Sequence, residues 1–268
     1  MNIQVPPNFT DVIGFGVARK VYGITKSTKW INIGLAIFFL LATLVWGVYL
    51  VAKVVDEVSL NGLIGLRNIS TLSILGLGLC AFIGLGCAWN VYDNWHKLVV
   101  VYDSGFACQD RKGLKTLRWE EVDTITAQVM KHYTQGVFTG TTHQYTIVKM
   151  DHDNLKLDDR IANVEELAGI IRAKVFPFLL QRHQTLFQAA VPLKFGQATI
   201  SRVEGLRVGN KHFAWDEITT IQLKEGEIQI KRKGGGLLSG ARIQTATTPN
   251  VDVLLALIDT IVGVKRLS

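Results

Sequence analysis

Trp30 to Ala52 reads WINIGLAIFFLLATLVWGVYLVA, 23 residues without Asp, Glu, Lys or Arg. At 1.5 Å per residue such a run is about 35 Å long as a helix, enough to cross a hydrocarbon core of about 30 Å. Lys29 and Lys53 bracket it, and Trp30, Trp46 and Tyr49 suit interfacial depths. The run is too long, and too far from the N-terminus, for the apolar core of a cleaved signal peptide. A second uncharged run, Thr71 to Val91, reads TLSILGLGLCAFIGLGCAWNV and ends in an aromatic belt of Trp89, Tyr92 and Trp95. The pair predicts a transmembrane helical hairpin over 30–92, with helices near 30–52 and 71–91. The connection Val54–Ser70 contains an apolar stretch, Leu60–Leu66, suited to the interface.

Lys and Arg set the expected orientation. Arg19, Lys20, Lys26 and Lys29 precede the first span, and Lys97, Arg111, Lys112 and Lys115 follow the second, whereas the loop holds only Lys53 and Arg67. Both termini are therefore expected in the cytoplasm, with 1–29 a cytoplasmic segment and the chain a multi-pass protein of the inner (plasma) membrane. Within the second span Gly76, Cys80, Gly84 and Ala88 recur every four residues on one helical face, which lets another helix approach closely. Two readings of that face stay open: packing on the first span, or a seam between two copies. Neither span holds an internal charge, which disfavours a transport path.

The remainder reads as soluble protein and contains a repeat. SGFACQDRKGLKTLRWEEVDTI (Ser104–Ile125) and EGLRVGNKHFAWDEITTI (Glu204–Ile221) align Gly105 with Gly205, Trp119 with Trp215, Glu121 with Glu217 and Ile125 with Ile221. Strand patterns follow, at Tyr145–Met150, Leu155–Leu157 and Glu227–Lys231, the last alternating cleanly. The first copy has an added segment, Tyr133–His143, in which Gly136 and Gly140 signal a hairpin or loop. Each copy closes on an Asn-led apolar helix: NVEELAGIIRAKVFPFLL from Asn163 and NVDVLLALIDTIVG from Asn250. Asn predicts an N-cap, with Glu166 completing a capping box after Asn163. The expected fold is a membrane α-helical hairpin plus α+β, with two tandem domains over 97–183 and 186–266. Each is a bent antiparallel sheet or partial barrel closed by its C-terminal helix.

This layout resembles the bacterial pleckstrin-homology-like domains found beside transmembrane hairpins, through Gly105 and the run Trp119–Ile125. More closely, residues 98–264 resemble an uncharacterised bacterial domain of unknown function. The resemblance rests on Arg118–Val122, Tyr133–Thr142, Phe195-Gly196, Trp215–Ile218 and Pro249-Asn250. It implies fold and location, and no catalytic residue.

The chain carries 29 Lys plus Arg against 22 Asp plus Glu, a net charge of +7. The excess is diffuse, unlike the concentrated stripe of a nucleic-acid binder, and suits anionic lipid. Cys80 and Cys87 lie in the second span and Cys108 in a strand, a spacing that supports neither a disulfide framework nor a metal site and fits a reducing compartment. The His residues form no zinc-hydrolase spacing. Asp151, Asp153, Asp158 and Asp159 cluster around one hairpin but lack the Gly and closing Glu of a calcium loop, so they read as a solvated turn. Gly234-Gly-Gly236 follows its basic residues rather than preceding them, so it is a hairpin turn and not a nucleotide loop. The tip carries Lys231, Arg232 and Lys233, with Lys224 and Arg242 as neighbours, a contact for an anionic headgroup or an acidic partner. No cofactor and no catalytic residue is expected. The leading expectation is a membrane-anchored scaffold or interaction module, with the bilayer and a protein partner or second copy as partners. The alternative is an enzyme whose site lies at the junction of the two domains, near Phe176–Leu193.

Overall fold

The computed structural model describes residues 9, 14–111, 113–135, 137–234 and 239–266. They form two compact units: one contains Gly23–Leu98 with Cys108–Leu114, the other the remaining described residues.

The first unit is built on two helices, α1 (Lys26–Asn61) and α2 (Thr71–Asn94), joined by a 3-10 stretch, Gly62–Asn68. Both are long and apolar enough to cross a membrane. In α1 only Ala36 and Leu50 are buried, and in α2 only Gly84 and Asn94. A water-soluble helix pair would hide its apolar face, whereas this one leaves Phe38, Leu44, Val48, Leu75 and Phe82 exposed. α1 continues past the apolar run through Lys53, Asp56 and Glu57 to Asn61, so the expected loop is largely helical. Cations fasten the helix ends. The Lys29 ammonium lies 3.4 Å from the Trp95 ring centroid. The Arg111 guanidinium lies 4.9 Å and 5.0 Å from those of Trp89 and Tyr92, and 3.8 Å from the Asp93 carboxylate.

The second unit is α+β. Its first half contributes residues 18–22, 99–107 and 115–118 to a four-stranded sheet of β1 (Ala18–Gly23), β2 (Leu98–Tyr102), β3 (Gly105–Asp110) and β4 (Gly113–Arg118), in that order. A three-stranded sheet follows, β5 (Val122–Thr134), β6 (Val137–Lys149) and β7 (Asn154–Asp158), and then α3 (Val164–Gln188). The second half repeats the sequence of elements. β8 (Leu193–Phe195), β9 (Ala198–Ser201), β10 (Gly205–Val208) and β11 (Lys211–Phe213) form a sheet of order β11-β10-β9-β8. β12 (Ile218–Lys224), β13 (Glu227–Arg232), β14 (Ala241–Gln244) and β15 (Val264–Arg266) form one of order β14-β13-β12-β15, with α4 (Val251–Asp259) before the last strand. β15 runs parallel to β12, whereas β5, β6 and β7, β8 to β11, and β12, β13 and β14 pair antiparallel with their neighbours.

The aligned residues of the two copies do the same work in each. A Cβ on Gly105 would meet the Leu117 carbonyl oxygen at 2.3 Å, and one on Gly205 the Phe213 carbonyl oxygen at 2.2 Å. The Trp119 indole N–H donates to the Asp103 carbonyl at 2.8 Å, and Trp215 to the Ser201 carbonyl at 3.0 Å. Glu121 accepts from the Arg118 N–H and Glu217 from the Ala214 N–H, at 3.1 and 3.3 Å. Immediately after this turn both hairpins shift register, between Val122 and Thr124 and between Ile218 and Thr220. Trp119 is buried and stacks on Phe106 at 5.5 Å, while Leu157, Leu167, Ile171, Ile200, Ile221 and Ile228 fill the cores. Each such side chain contributes about 1.5–3 kcal/mol by burial.

Both helix-leading Asn residues differ from expectation. Asn163 and Asn250 sit in the left-handed region (φ 54° and 50°), and neither side chain caps its own helix. Asn tolerates this conformation better than most residues, which accounts for its place there. Glu166 closes no capping box; it pairs with Lys20 of the N-terminal segment. α3 runs without a break through the expected boundary at 183–186. The two halves also meet through Arg172, which grips Asp252 with Nε at 3.0 Å and Nη2 at 2.8 Å.

Candidate functional site

Two features of the sequence point to sites: the small-residue face of α2 and the basic residues of the second half. On α2, a Cβ at Gly76 would come within 2.6 Å of the Trp46 ring, and one at Gly84 within 3.2 Å of Leu40. Those two glycines pack on α1 of the same chain. Cys80 and Ala88 are half-buried, whereas a Cβ at Gly78 or Gly86 would meet nothing within 4 Å.

The basic residues surround a cleft of about 1150 Å³ whose lining includes Lys211, Lys231, Arg232, Arg242, Gln197 and Asn210. No carboxylate is among its described lining residues. The strands explain the gathering. β13 presents Lys231 and Arg232, β14 presents Arg242, and Lys211 opens β11 after the turn at Gly209-Asn210. Gly240 is forced by close packing, since a Cβ there would lie 2.4 Å from the Ile230 carbonyl oxygen.

The four cations are not equivalent. Arg232 is held in the fold: its Nη2 donates to Glu217 Oε2 at 2.9 Å and to the His212 carbonyl at 2.7 Å, and its guanidinium lies 5.2 Å from the Phe213 ring centroid. Lys149 stands in the matching position of the first copy, 3.7 Å from Glu121. Lys211 donates to the Gly240 carbonyl at 2.6 Å. Arg242 is 72% exposed and 3.7 Å from Glu227. Lys231 is exposed and has no ion-pair partner among the described residues. Of the other expected cations, Lys224 pairs with Glu225 at 3.6 Å, and Lys233 is exposed with its backbone N–H bonded to the Glu217 carbonyl. Neither lines the cleft. Residues 235–238 of the expected hairpin tip, together with Lys112 and Gly136, lie outside the described residues. Lys211 was not singled out in the sequence; the short β10–β11 turn that places it was the available signal.

A family of unknown function, DUF6585, matches residues 10–266. The chain belongs to DUF6585. No curated protein and no solved structure matches it.

The carboxylates of the acidic hairpin of this DUF6585 chain each face a basic side chain. Asp151 faces Lys149 at 3.2 Å, Asp153 faces Lys115 at 2.8 Å, Asp158 faces Arg160 at 3.6 Å, and Asp159 faces His143 at 3.0 Å. Among the described residues no group of three His, Cys, Asp or Glu is placed to hold a metal. At the expected junction, a cavity of about 580 Å³ is lined by Gln184, Phe187, Gln188, Arg202, Trp215, Leu257, Thr260 and Ile261. Arg202 is the ionisable group in that lining. The hydroxyl in that lining, Thr260, donates to the Leu257 carbonyl at 2.7 Å.

The paired carboxylates predict the response to acid. The Ala214 N–H and then Arg232 hold Glu217 below the usual carboxylate range. Arg19 does the same for Asp103, the Asp153 N–H and Lys149 for Asp151, and Lys115 for Asp153. A lowered folded pKa gives stability that is present above the unfolded value of about 4 and lost as pH falls through the folded value. The melting temperature of the detergent-solubilised chain is expected to hold between neutral pH and about 5, then drop below about 4, with Glu217→Gln showing a smaller acid drop. A flat profile to pH 3 contradicts this.

Proposed function

We propose that the chain is a membrane-anchored interaction module. The hairpin spans the inner (plasma) membrane with both termini cytoplasmic, and the α+β unit is a pair of pleckstrin-homology-like domains acting as a scaffold. The module binds an acidic protein segment, a second copy of itself, or anionic lipid. The observation that carries this reading is the cleft lined by Lys211, Lys231, Arg232 and Arg242 with no carboxylate in its described lining. Arg232 is spent on Glu217, so Lys231 and Arg242 supply the charge a ligand meets. The repeated architecture, two sheets and a closing helix in each half, supports the domain assignment.

Crosslinking and pull-down of the full chain from native membranes tests the reading, alongside binding of the reconstituted chain to vesicles with and without phosphatidylglycerol. Capture of a partner, a second copy or anionic lipid is expected. Each Lys or Arg near an anionic surface is worth about 1 kcal/mol, so Lys231→Glu with Arg242→Glu should weaken capture roughly tenfold or more. A chain that captures none of the three, or a double variant that binds as well as the parent, removes the proposal.

A further inference from the structure

The β5–β6 hairpin is longer than its sheet needs. β7 pairs with β6 from Gln144 to Val148, and Asp159 ties down the next residue, its carboxylate accepting from the His143 backbone N–H at 2.7 Å. Beyond that point, from Val129↔His143 to Thr134↔Val137, β5 and β6 pair with each other. This leaves a two-stranded ribbon about 20 Å long. Such a ribbon is marginal in water without a third strand or a packing surface.

Its outer part is nevertheless apolar. Val129 is 45% exposed, Met130 51%, Val137 67% and Phe138 54%. Register puts these on both faces: Val129 shares one with Phe138, through the pair Tyr133↔Phe138, and Met130 shares the other with Val137, through Thr134↔Val137. A protein groove covers one face of a ribbon, whereas a fluid apolar layer surrounds a tip on all sides. The charge pattern agrees with a bilayer. From Thr124 to Met150 the sequence has no Asp or Glu, and exposed Lys131 stands among the apolar residues.

We propose that this ribbon tip is a second membrane contact. Val129, Met130, Val137 and Phe138 enter the headgroup–acyl boundary of an anionic bilayer while Lys131 meets its phosphates. The inference rests on the reading that the hairpin spans that bilayer. It adds a peripheral foot on the α+β unit, built from residues other than those of the cleft and of the anchoring helices.

The test uses the full chain with the photoreactive amino acid p-benzoylphenylalanine in place of Phe138, or in a second variant Val137, in proteoliposomes. One lipid mixture contains phosphatidylglycerol and the other is phosphatidylcholine alone. Lipid adducts at both positions are expected, about fivefold more abundant in the anionic mixture, with Lys131→Glu abolishing that preference. A chain–chain adduct assigns the tip to a second copy and overturns the proposal, as does an adduct with another protein in cell membranes. Absence of lipid adducts at both positions, or equal labelling in the two mixtures, overturns it as well. Carbonate extraction separates the two readings. A chain that resists extraction but gives no adduct leaves the anchor and removes the foot, whereas a chain that is extracted removes the anchor itself.

Discussion

Alanine in place of Gly205 is expected to unfold most of the second half of the α+β unit. Gly205 has φ +101°, a conformation L side chains rarely adopt. Its Cβ would lie 2.2 Å from the Phe213 carbonyl oxygen and 2.9 Å from the Ala214 Cα. Both obstacles are backbone, so no rotamer change relieves them. Backbone strain of this kind costs about 1–3 kcal/mol, and overpacking against a fixed neighbour adds about 1–3 kcal/mol. The sum, about 2–6 kcal/mol, is a large fraction of the stability of an ordinary domain. Gly209 is the internal control: φ is +55° but a Cβ would meet nothing within 4 Å. Gly209→Ala should therefore cost only the left-handed penalty, about 1–2 kcal/mol. Thermal melting of the two variants, read by Trp fluorescence and by protease resistance of the second half, measures the difference. Equal melting temperatures for G205A and G209A would show that the close approach at Gly205 carries no weight.

Gly105 and Gly205 also show what the sequence makes legible. The repeat is readable because one tight turn imposes several demands at fixed spacing: a Gly beneath a carbonyl, a Trp whose N–H reaches back, and a Glu that accepts from the residue three before it. The two apolar helices are readable for a simpler reason, since runs of 23 and 21 uncharged residues mark them in the sequence. The ends of α1 are not, because the apolar run stops at Lys53 while the helix obeys its own propensities and continues through Lys53–Asn61. β1 escapes a reading along the chain. ARKVYG looks like a basic flank, and its partner β2 lies beyond the whole hairpin in sequence. Arg232 shows the limit at the candidate site. Counted with Lys231 and Lys233 it is one tip cation among three. Compared with Lys149, which stands beside Glu121 as Arg232 stands beside Glu217, it is a structural partner. Both residues lie outside the aligned segments, and each pairing is a cross-strand contact that only register reveals.

Asn250 supplies the other large effect. It was expected to cap α4; instead its side chain serves the first half. Asn250 Oδ1 accepts from the Ile125 N–H and its Nδ2 donates to the Asp123 carbonyl, each at 2.8 Å, while its own N–H donates to the Ile125 carbonyl at 2.8 Å. Those groups belong to β5, an outer strand of its sheet, so one Asn finishes a sheet edge that would otherwise keep unpaired donors and acceptors. Asn250 is buried, so water does not readily replace it. Asn250→Ala strands one N–H and one carbonyl at about 1–3 kcal/mol each and leaves a left-handed backbone that Ala resists by about 1–2 kcal/mol. The expected loss is about 3–8 kcal/mol. Asn250→Gly removes the strain but not the orphaned groups, and should recover about 1 kcal/mol of it. Hydrogen exchange gives the specific readout, because the Ile125 amide should lose protection in both variants while amides of the α4 core at Leu254 and Leu257 change less in N250G than in N250A. Unchanged Ile125 protection in N250A would refute the edge-sealing role. This contact joins the β5–β6–β7 sheet to the start of α4, and the two halves are tied by a hydrogen-bonded seam as well as by the shared helix α3.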